Sequence, residues 1–239
     1  MVLAILQARM SSSRLPGKVL ADVAGAPMIL RQIERVRRAR HVSRLIVATS
    51  TRADDDPLVQ ALTAAEVEVV RGDLDDVLSR FILALDVAGD QTAAIRLTAD
   101  CPLADPDVID ATIARFQHTG ADYVTSGGDT RTFPKGLDVE VFRTDALRQA
   151  HAETADAYDR EHVTPFLYRH AERYRLATLT QDRPEGDLRW TVDRPDDLEF
   201  VRAVYDALYP ARPDFTSDDV RAFVATRPDL MTLGGDPRG

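Results

Sequence analysis

From Gln7 to Lys18 the chain reads Gln-Ala-Arg-Met-Ser-Ser-Ser-Arg-Leu-Pro-Gly-Lys, which sets three permanent cations, Arg9, Arg14 and Lys18, among small residues and hydroxyls. Guanidinium and ammonium groups donate charge-assisted hydrogen bonds to phosphate oxygens, and the backbone donors of a small-residue loop can line the same concavity. The segment therefore reads as a polyphosphate site, with Gln7, Ala8, Ser11 and Ser12 supplying further contacts beside the three cations. Val2 to Leu6 reads as a short buried strand, so the loop leaves a strand's carboxyl end, where ligands of open α/β sheets bind. Neither Gly-x-x-x-x-Gly-Lys-Ser/Thr nor Gly-x-Gly-x-x-Gly occurs here, which argues against a P-loop ATPase and a simple dehydrogenase. Basic loops are otherwise plain solvated surface; the serines, the glycine and the strand-end position weigh toward a phosphate site.

Two acids form the second constellation. Asp100 and Asp193 follow the β-like runs Ala93–Thr98 and Leu188–Val192, each with a proline, Pro102 or Pro195, close behind to stop the strand. Magnesium prefers hard oxygen ligands and takes one or two carboxylates, completing its shell with phosphate oxygens and water. Spacing alone leaves the alternative open, because an aspartate at a strand end is more often a cap or turn residue. Farther on, Asp138 and Glu140 would share one side of a strand, with Val139 and Val141 on the other. Paired carboxylates there can bind metal or substrate hydroxyls, or merely edge a half-exposed strand, while Lys135 in the preceding turn could reach an acidic substrate. Cys101 reads as a small buried hydrophobe rather than a nucleophile.

These residues need a scaffold, and the hydrophobic periodicity supplies one. Strand-like runs at 45–49, 67–70, 93–97 and 122–125 alternate with helical stripes: Ile29, Ile33 and Val36; Val77, Leu78, Phe81, Ile82 and Leu85; Val108, Ile109, Thr112, Ile113 and Phe116. Asp105-Pro106 caps and opens one helix, and Thr216 or Ser217 caps another ahead of Val220 and Phe223. Repeated β-α-β units demand right-handed crossovers, hence a mostly parallel sheet with helices on both faces. The loop 7–18 and the segment Thr98–Leu103 then meet at one edge of that sheet. After Gly127 the pattern changes, and 127–142 reads as an inserted β-rich segment. Residues 1–233 are expected to form a single domain and 234–239 a disordered tail.

A chain of 239 residues, 44% hydrophobic, can cover one substantial core. The formal charge of −9 argues against a nucleic-acid surface, and an anionic substrate would need a metal escort. One cysteine excludes an intramolecular disulfide, and there is no apolar signal segment or membrane-length run, so a cytoplasmic location and no membrane partner are expected.

Five segments in order, Gln7–Leu20, Arg96–Leu103, Pro134–Phe142, Asp159–Pro165 and Trp190–Leu198, resemble the cytidylyltransferase family of spore coat polysaccharide biosynthesis protein F. That family is similar in turn to the acylneuraminate and 3-deoxy-manno-octulosonate cytidylyltransferases. The resemblance covers nearly the whole chain, and its first segment is the most specific. It implies a Rossmann-like nucleotide-diphospho-sugar transferase fold, with a mostly parallel mixed sheet. It implies Mg2+-dependent transfer of CMP from CTP to an acidic sugar or related small anionic acceptor, with release of pyrophosphate. Arg9, Arg14 and Lys18 match the triphosphate loop, and Asp100 and Asp193 the metal pair; Arg9, Lys18, Asp100 and Asp193 are the catalytic candidates, and Thr98 and Ala99 join the nucleotide site. Thr98-Ala99 also departs from the sugar-activating enzymes, so the acceptor is not inherited from them. Lys135, Asp138, Glu140, Arg160, Glu161 and His162 are the acceptor-side candidates, His162 as a base or as a capping residue at a helix start. By analogy the protein would be a homodimer with Phe133–Phe142 at the interface.

Three other readings stay open. A glycosyltransferase would display an Asp-x-Asp pair, and Asp105-Pro-Asp107 has that spacing, although it reads as a helix cap. A non-enzymatic interaction protein can share the fold. A phosphonate or other non-sugar acceptor uses the same nucleotide chemistry.

Overall fold

The computed structural model of the chain describes residues 2–239. Among the described residues nine strands form: β1 (Val2–Gln7), β2 (Asp22–Val23), β3 (Ala26–Pro27), β4 (Val42–Ser50), β5 (Glu68–Gly72), β6 (Ala93–Thr98), β7 (Tyr123–Thr125), β8 (Glu140–Arg143) and β9 (Leu176–Thr178). The helices are α1 (Met28–Val36), α2 (Asp56–Ala64), α3 (Val77–Ala88), α4 (Pro106–Thr119), α5 (Thr144–Glu153), α6 (Ala157–His162), α7 (Pro165–Arg169), α8 (Pro195–Leu208), α9 (Ser217–Ala225) and α10 (Pro228–Met231). Strands β2 and β3 make a small hairpin; the other seven form one sheet in the order β5-β4-β1-β6-β8-β7-β9. Its first four strands are parallel, β8 runs antiparallel between β6 and β7, and β9 is parallel to β7.

Strand β1 is apolar without alternation because it is buried on both faces. Ala4 and Leu6 point into a core shared with Ile29, Ile33, Ile109, Ile113, Val201 and Val220, from helices α1, α4, α8 and α9. Leu3 and Ile5 point into the opposite core, with Leu78, Phe81, Leu147 and Leu167 from α3, α5 and α7. The expected cap of α4 forms, Asp105 accepting from Asp107 N at 2.8 Å ahead of Pro106, and Thr216 and Asp219 make a capping box for α9. No helix among the described residues is long and apolar enough to cross a membrane.

Three sequence expectations need correction. The segment near 127–142 is not an insertion: its end is β8, in the sheet between β6 and β7, because Val141 and Phe142 are each needed by a different core. Phe133, Leu137 and Val139 of the same segment are buried in the chain's own core. Leu188–Val192 is extended but joins no sheet; Arg189 makes one isolated bridge to Lys135, and Trp190 fills the core completely. Residues 234–239, expected to be disordered, pack against this segment, with the Arg238 side chain fully buried because it ends on the buried carboxylate of Asp197.

Candidate active site

Strands β1 and β6 are neighbours in register, Gln7 opposite Thr98, so the loops leaving them open side by side. Ala99 N donates to Gln7 O at 3.0 Å, tying the second loop to the first. The cationic loop is folded on itself: Gly17 N donates to Met10 O at 2.9 Å, and Met10 N donates to the buried carboxylate of Asp55 at 2.6 Å. Gly17 takes φ 73°, left-handed backbone that suits glycine, and turns the chain into a 3-10 turn at Lys18–Leu20. Val19 is buried there and leaves Lys18 facing the sheet edge.

Lys18 is the hub. Its Nζ donates to Val192 O at 2.6 Å and to Asp193 Oδ1 at 3.0 Å, and lies 3.7 Å from Asp100 Oδ2. Arg14 reaches Asp193 Oδ2 at 3.2 Å, and Arg189 Nη2 donates to the same oxygen at 2.8 Å. Partial burial pushes the Asp193 carboxyl up, but Lys18, Arg189 and Arg14 outweigh it and hold it below the usual aspartate range. Gln7, Ala8, Arg9, Ser11, Ser12, Arg14, Lys18, Thr98, Ala99, Asp100 and Asp193 all line one cleft of about 260 Å³. Two aspartates separated by 93 positions in the sequence thus meet one ammonium, on the same rim as the basic loop.

This donor set fits a divalent cation of the magnesium kind. It offers two hard carboxylates, and no group of three or more His, Cys, Asp or Glu able to hold a metal alone occurs among the described residues. An ion seated here would take its other ligands from phosphate and water.

A second cleft, of about 710 Å³, shares Thr98 and Asp100 with the first and continues past Lys135, Asp138, Glu140, Tyr123 and Thr191. The acceptor-side candidates divide between the two. Lys135 is exposed at this second cleft, and Asp138 accepts from Gly136 N at 3.0 Å and pairs with Arg131 at 2.5 Å. Glu140 is structural instead: it pairs with Arg96 and accepts from Tyr123 Oη at 2.5 Å and Thr164 Oγ1 at 2.7 Å, which commits both its oxygens. Arg160 pairs with Asp76 at 3.1 Å and donates to the carbonyls of His151 and Thr154, away from both clefts. Glu161 and His162 line the first cleft, and His162 ends α6 rather than starting a helix, its ring 4.2 Å from that of Tyr158. Asp105, of the Asp-x-Asp pair, is 2% exposed and spends its second oxygen on Ser217 N at 2.6 Å, which makes it a cap for two helices and not a metal ligand. Burial, then the charge of Asp100, pushes the Cys101 thiol well up, so it is no nucleophile.

Sequence reasoning missed three arginines. Arg96 Nε donates to Gln7 Oε1 at 2.9 Å; since a guanidinium only donates, the Gln7 amide nitrogen is left as the free end. Arg80, 2% exposed, lines the first cleft with Nε and Nη1 lacking protein partners among the described residues. Glycine at position 72 makes room for it, because a Cβ there would lie 2.8 Å from Arg80 Cγ. An arginine inside the apolar stripe Val77–Phe81, eight residues after a glycine, was the available signal. Arg189 had none, since its partners are set by the tertiary path of Leu188–Val192.

Comparison with known proteins identifies relatives of this chain. Residues 3–210 match the family model described as cytidylyltransferase. Spore coat polysaccharide biosynthesis protein SpsF of Bacillus subtilis is 30% identical over 97% of both chains, and a 3-deoxy-manno-octulosonate cytidylyltransferase of Mesorhizobium japonicum is 34% identical over 84% of this chain and 85% of its own. A cytidylyltransferase structure from Leptospira borgpetersenii superposes with a TM-score of 0.89 at 25% identity, covering 96% of this chain and 95% of that one. A CMP-2-keto-3-deoxy-manno-octonic acid synthetase complexed with CTP, at 20% identity and a TM-score of 0.65, shares the fold across 86% of this chain and 98% of its own. The sheet is therefore that of the nucleotide-diphospho-sugar transferases, the basic loop and the paired aspartates line one cleft at the carboxyl ends of β1 and β6, and the chain is a nucleotidyltransferase belonging to the cytidylyltransferase family.

Proposed function

We propose that the protein transfers CMP from CTP to a small anionic acceptor, a sugar acid or a chemically similar compound, with release of pyrophosphate and with Mg2+ as cofactor. The observation that carries this reading is the contact of Lys18 Nζ with Asp193 and its approach to Asp100, on the wall that also bears Arg9 and Arg14. Arg9, Arg14 and Lys18 bind the triphosphate and draw charge from its β and γ groups, with Ser11 and Ser12 beside them. Asp100 and Asp193 would hold Mg2+, which would supply charge neutralisation to the reacting polyphosphate. Thr98 and Asp100 belong to both clefts, so an acceptor oxygen in the second cleft can approach the α-phosphorus of a nucleotide in the first. The bond from acceptor oxygen to phosphorus forms as the bond to the bridging oxygen of pyrophosphate breaks, and no covalent protein intermediate is needed. Lys135, exposed at the second cleft, supplies a cation for the acceptor's negative charge. The names of the 3-deoxy-manno-octulosonate relatives support a sugar acid as that acceptor.

The test is pyrophosphate release with each of the four nucleoside triphosphates against a panel of acidic sugars and phosphonates. CTP with a carboxylate-bearing acceptor is the expected pair. Preference for UTP or GTP would overturn the base assignment, and turnover only with phosphonates would overturn the acceptor.

A further inference from the structure

The segment Asp236–Gly239 is held by Met231 O, which accepts from Arg238 N at 2.7 Å, and by Leu233 O, which accepts from Arg238 Nε at 3.2 Å, and its other hydrogen bonds run to the short stretch around Asp193. Arg189 N donates to Pro237 O at 2.9 Å, and Arg238 Nη1 returns a hydrogen bond to Arg189 O at 2.8 Å, so both backbone groups of Arg189 are held. Trp190 Nε1 donates to Arg238 O at 2.6 Å. The Arg238 guanidinium, fully buried and 5.2 Å from the Phe200 ring centroid, donates from Nη2 to Asp197 Oδ1 at 2.7 Å.

Asp197 passes this contact on. Buried completely, it accepts from Asp193 N at 2.8 Å and Arg194 N at 2.9 Å through Oδ2, and from Arg189 through both oxygens at 3.0 Å. Arg189 Nη2 then donates onward to Asp193 Oδ2, which leaves Asp193 Oδ1 as the oxygen facing Lys18 and the nucleotide cleft. Arg189 is thus shared between Asp193 and Asp197, with Asp236 Oδ2 3.7 Å from its Nε, and Arg238, at 2.7 Å, is a nearer cation to Asp197 than Arg194, at 3.7 Å. Without Arg238, Asp197 would hold a larger share of the Arg189 charge, and the backbone of Arg189 and the ring of Trp190 would lose their anchors. Arg238 itself lines neither cleft.

We infer that Arg238 is a positioning residue for the metal site: through Asp197 and Arg189 it fixes the Asp193 carboxylate in the orientation that receives the divalent cation. This rests on the metal role given to Asp193 above. Outer-shell partners that orient a ligand typically change metal affinity by about 10- to 100-fold when removed.

The test measures Mn2+ binding by electron paramagnetic resonance in the presence of CTP and without acceptor, so that no turnover is involved, together with thermal melting of each protein. Arg238→Ala is expected to weaken Mn2+ binding by about 10- to 100-fold, while CTP binding without metal stays within about threefold. Arg238→Lys, which keeps a cation on Asp197, is expected to restore most of the lost affinity. Should the alanine protein fail to fold, Arg238→Gln, neutral and similar in reach, takes its place with the same expectation. Wild-type Mn2+ affinity in a folded alanine or glutamine variant would overturn the inference, leaving Arg238 a purely structural anchor. Wild-type protein that binds no Mn2+ with CTP would overturn the metal reading of Asp193 and this inference with it.

Discussion

Asp100 stands on the wall common to both clefts, where a metal-bound α-phosphate would meet an acceptor. Asp100→Ala is expected to lower kcat by about two to four orders of magnitude, the equivalent of several kcal/mol of lost charge stabilisation, with the melting temperature little changed because the side chain is partly solvated. Steady-state kinetics with circular dichroism checks this; retained turnover removes Asp100 from the mechanism. Lys18→Met is expected to raise KM for CTP and lower kcat by about 10²- to 10³-fold, as removal of a transition-state donor does, and it also leaves two carboxylates facing each other without their shared ammonium. At this scale the sequence was legible where chemistry fixes residue type: a triphosphate calls for cations and a metal for carboxylates, and both were visible as residue types in order. Glu140 was not legible. Its role depends on the β6–β8 register that sets Arg96 opposite it, a pairing across 44 positions that no local pattern records.

Elements fix those side chains through a few contacts that can be tested singly. Gly136 sits at φ 110°, and a Cβ on it would lie 2.8 Å from Thr191 N and the Trp190 carbonyl carbon, so the turn carrying Lys135 packs backbone to backbone on the Asp193 segment. Gly136→Ala is expected to destabilise the fold by about 1–3 kcal/mol, read as a shift in the urea midpoint; an unchanged midpoint would mean that the two segments do not touch. The antiparallel β8 lies inside the sheet between β6 and β7, and its Glu140 balances the charge of half-buried Arg96. Glu140→Gln is expected to cost about 1–3 kcal/mol by leaving that charge without its carboxylate, checked by chemical denaturation. Asp197, at the start of α8, titrates differently: burial raises its pKa, but Arg189, the backbone donors and Arg238 outweigh burial and hold it far below the ordinary value. A depressed folded pKa means stability that is complete above the unfolded aspartate range, near ~4, and is lost as pH falls below it toward the folded value. Melting curves from pH 7 to pH 3 should fall steeply for the wild type and more shallowly for Asp197→Asn; equal slopes would deny Asp197 that share. The strands expected at 93–97 and 45–49, which form as β6 and the longer β4, and the capped helix α4 were readable because period and cap chemistry are local. Leu188–Val192 misled because β-like composition also suits an extended segment clamped by Trp190 and Arg238.

Across the whole molecule, a chain with net charge −9 concentrates Arg9, Arg14, Lys18 and the buried Arg80 around one cleft, against the carboxylates of Asp100, Glu161 and Asp193 that line it too. The seven-stranded sheet brings together segments from positions 7–18, 98–100 and 193, and its mixed half builds the second cleft beside them. The meeting of 7–18 with 98–100 was legible from right-handed β-α-β connection, whereas Asp193 was paired with Asp100 only through the family resemblance; the docking of 234–239 was not legible, because it depends on one arginine finding one buried carboxylate. The central claim is that the basic loop and the two aspartates grip one metal-bound nucleotide. Anomalous scattering from crystals grown with Mn2+ and CTP tests it most directly: a manganese peak coordinated by Asp100, Asp193 and phosphate oxygens, with the triphosphate lying along Arg9, Arg14 and Lys18, is the expected result. A nucleotide bound with its phosphates away from that loop, or a manganese peak touching neither aspartate, would contradict it.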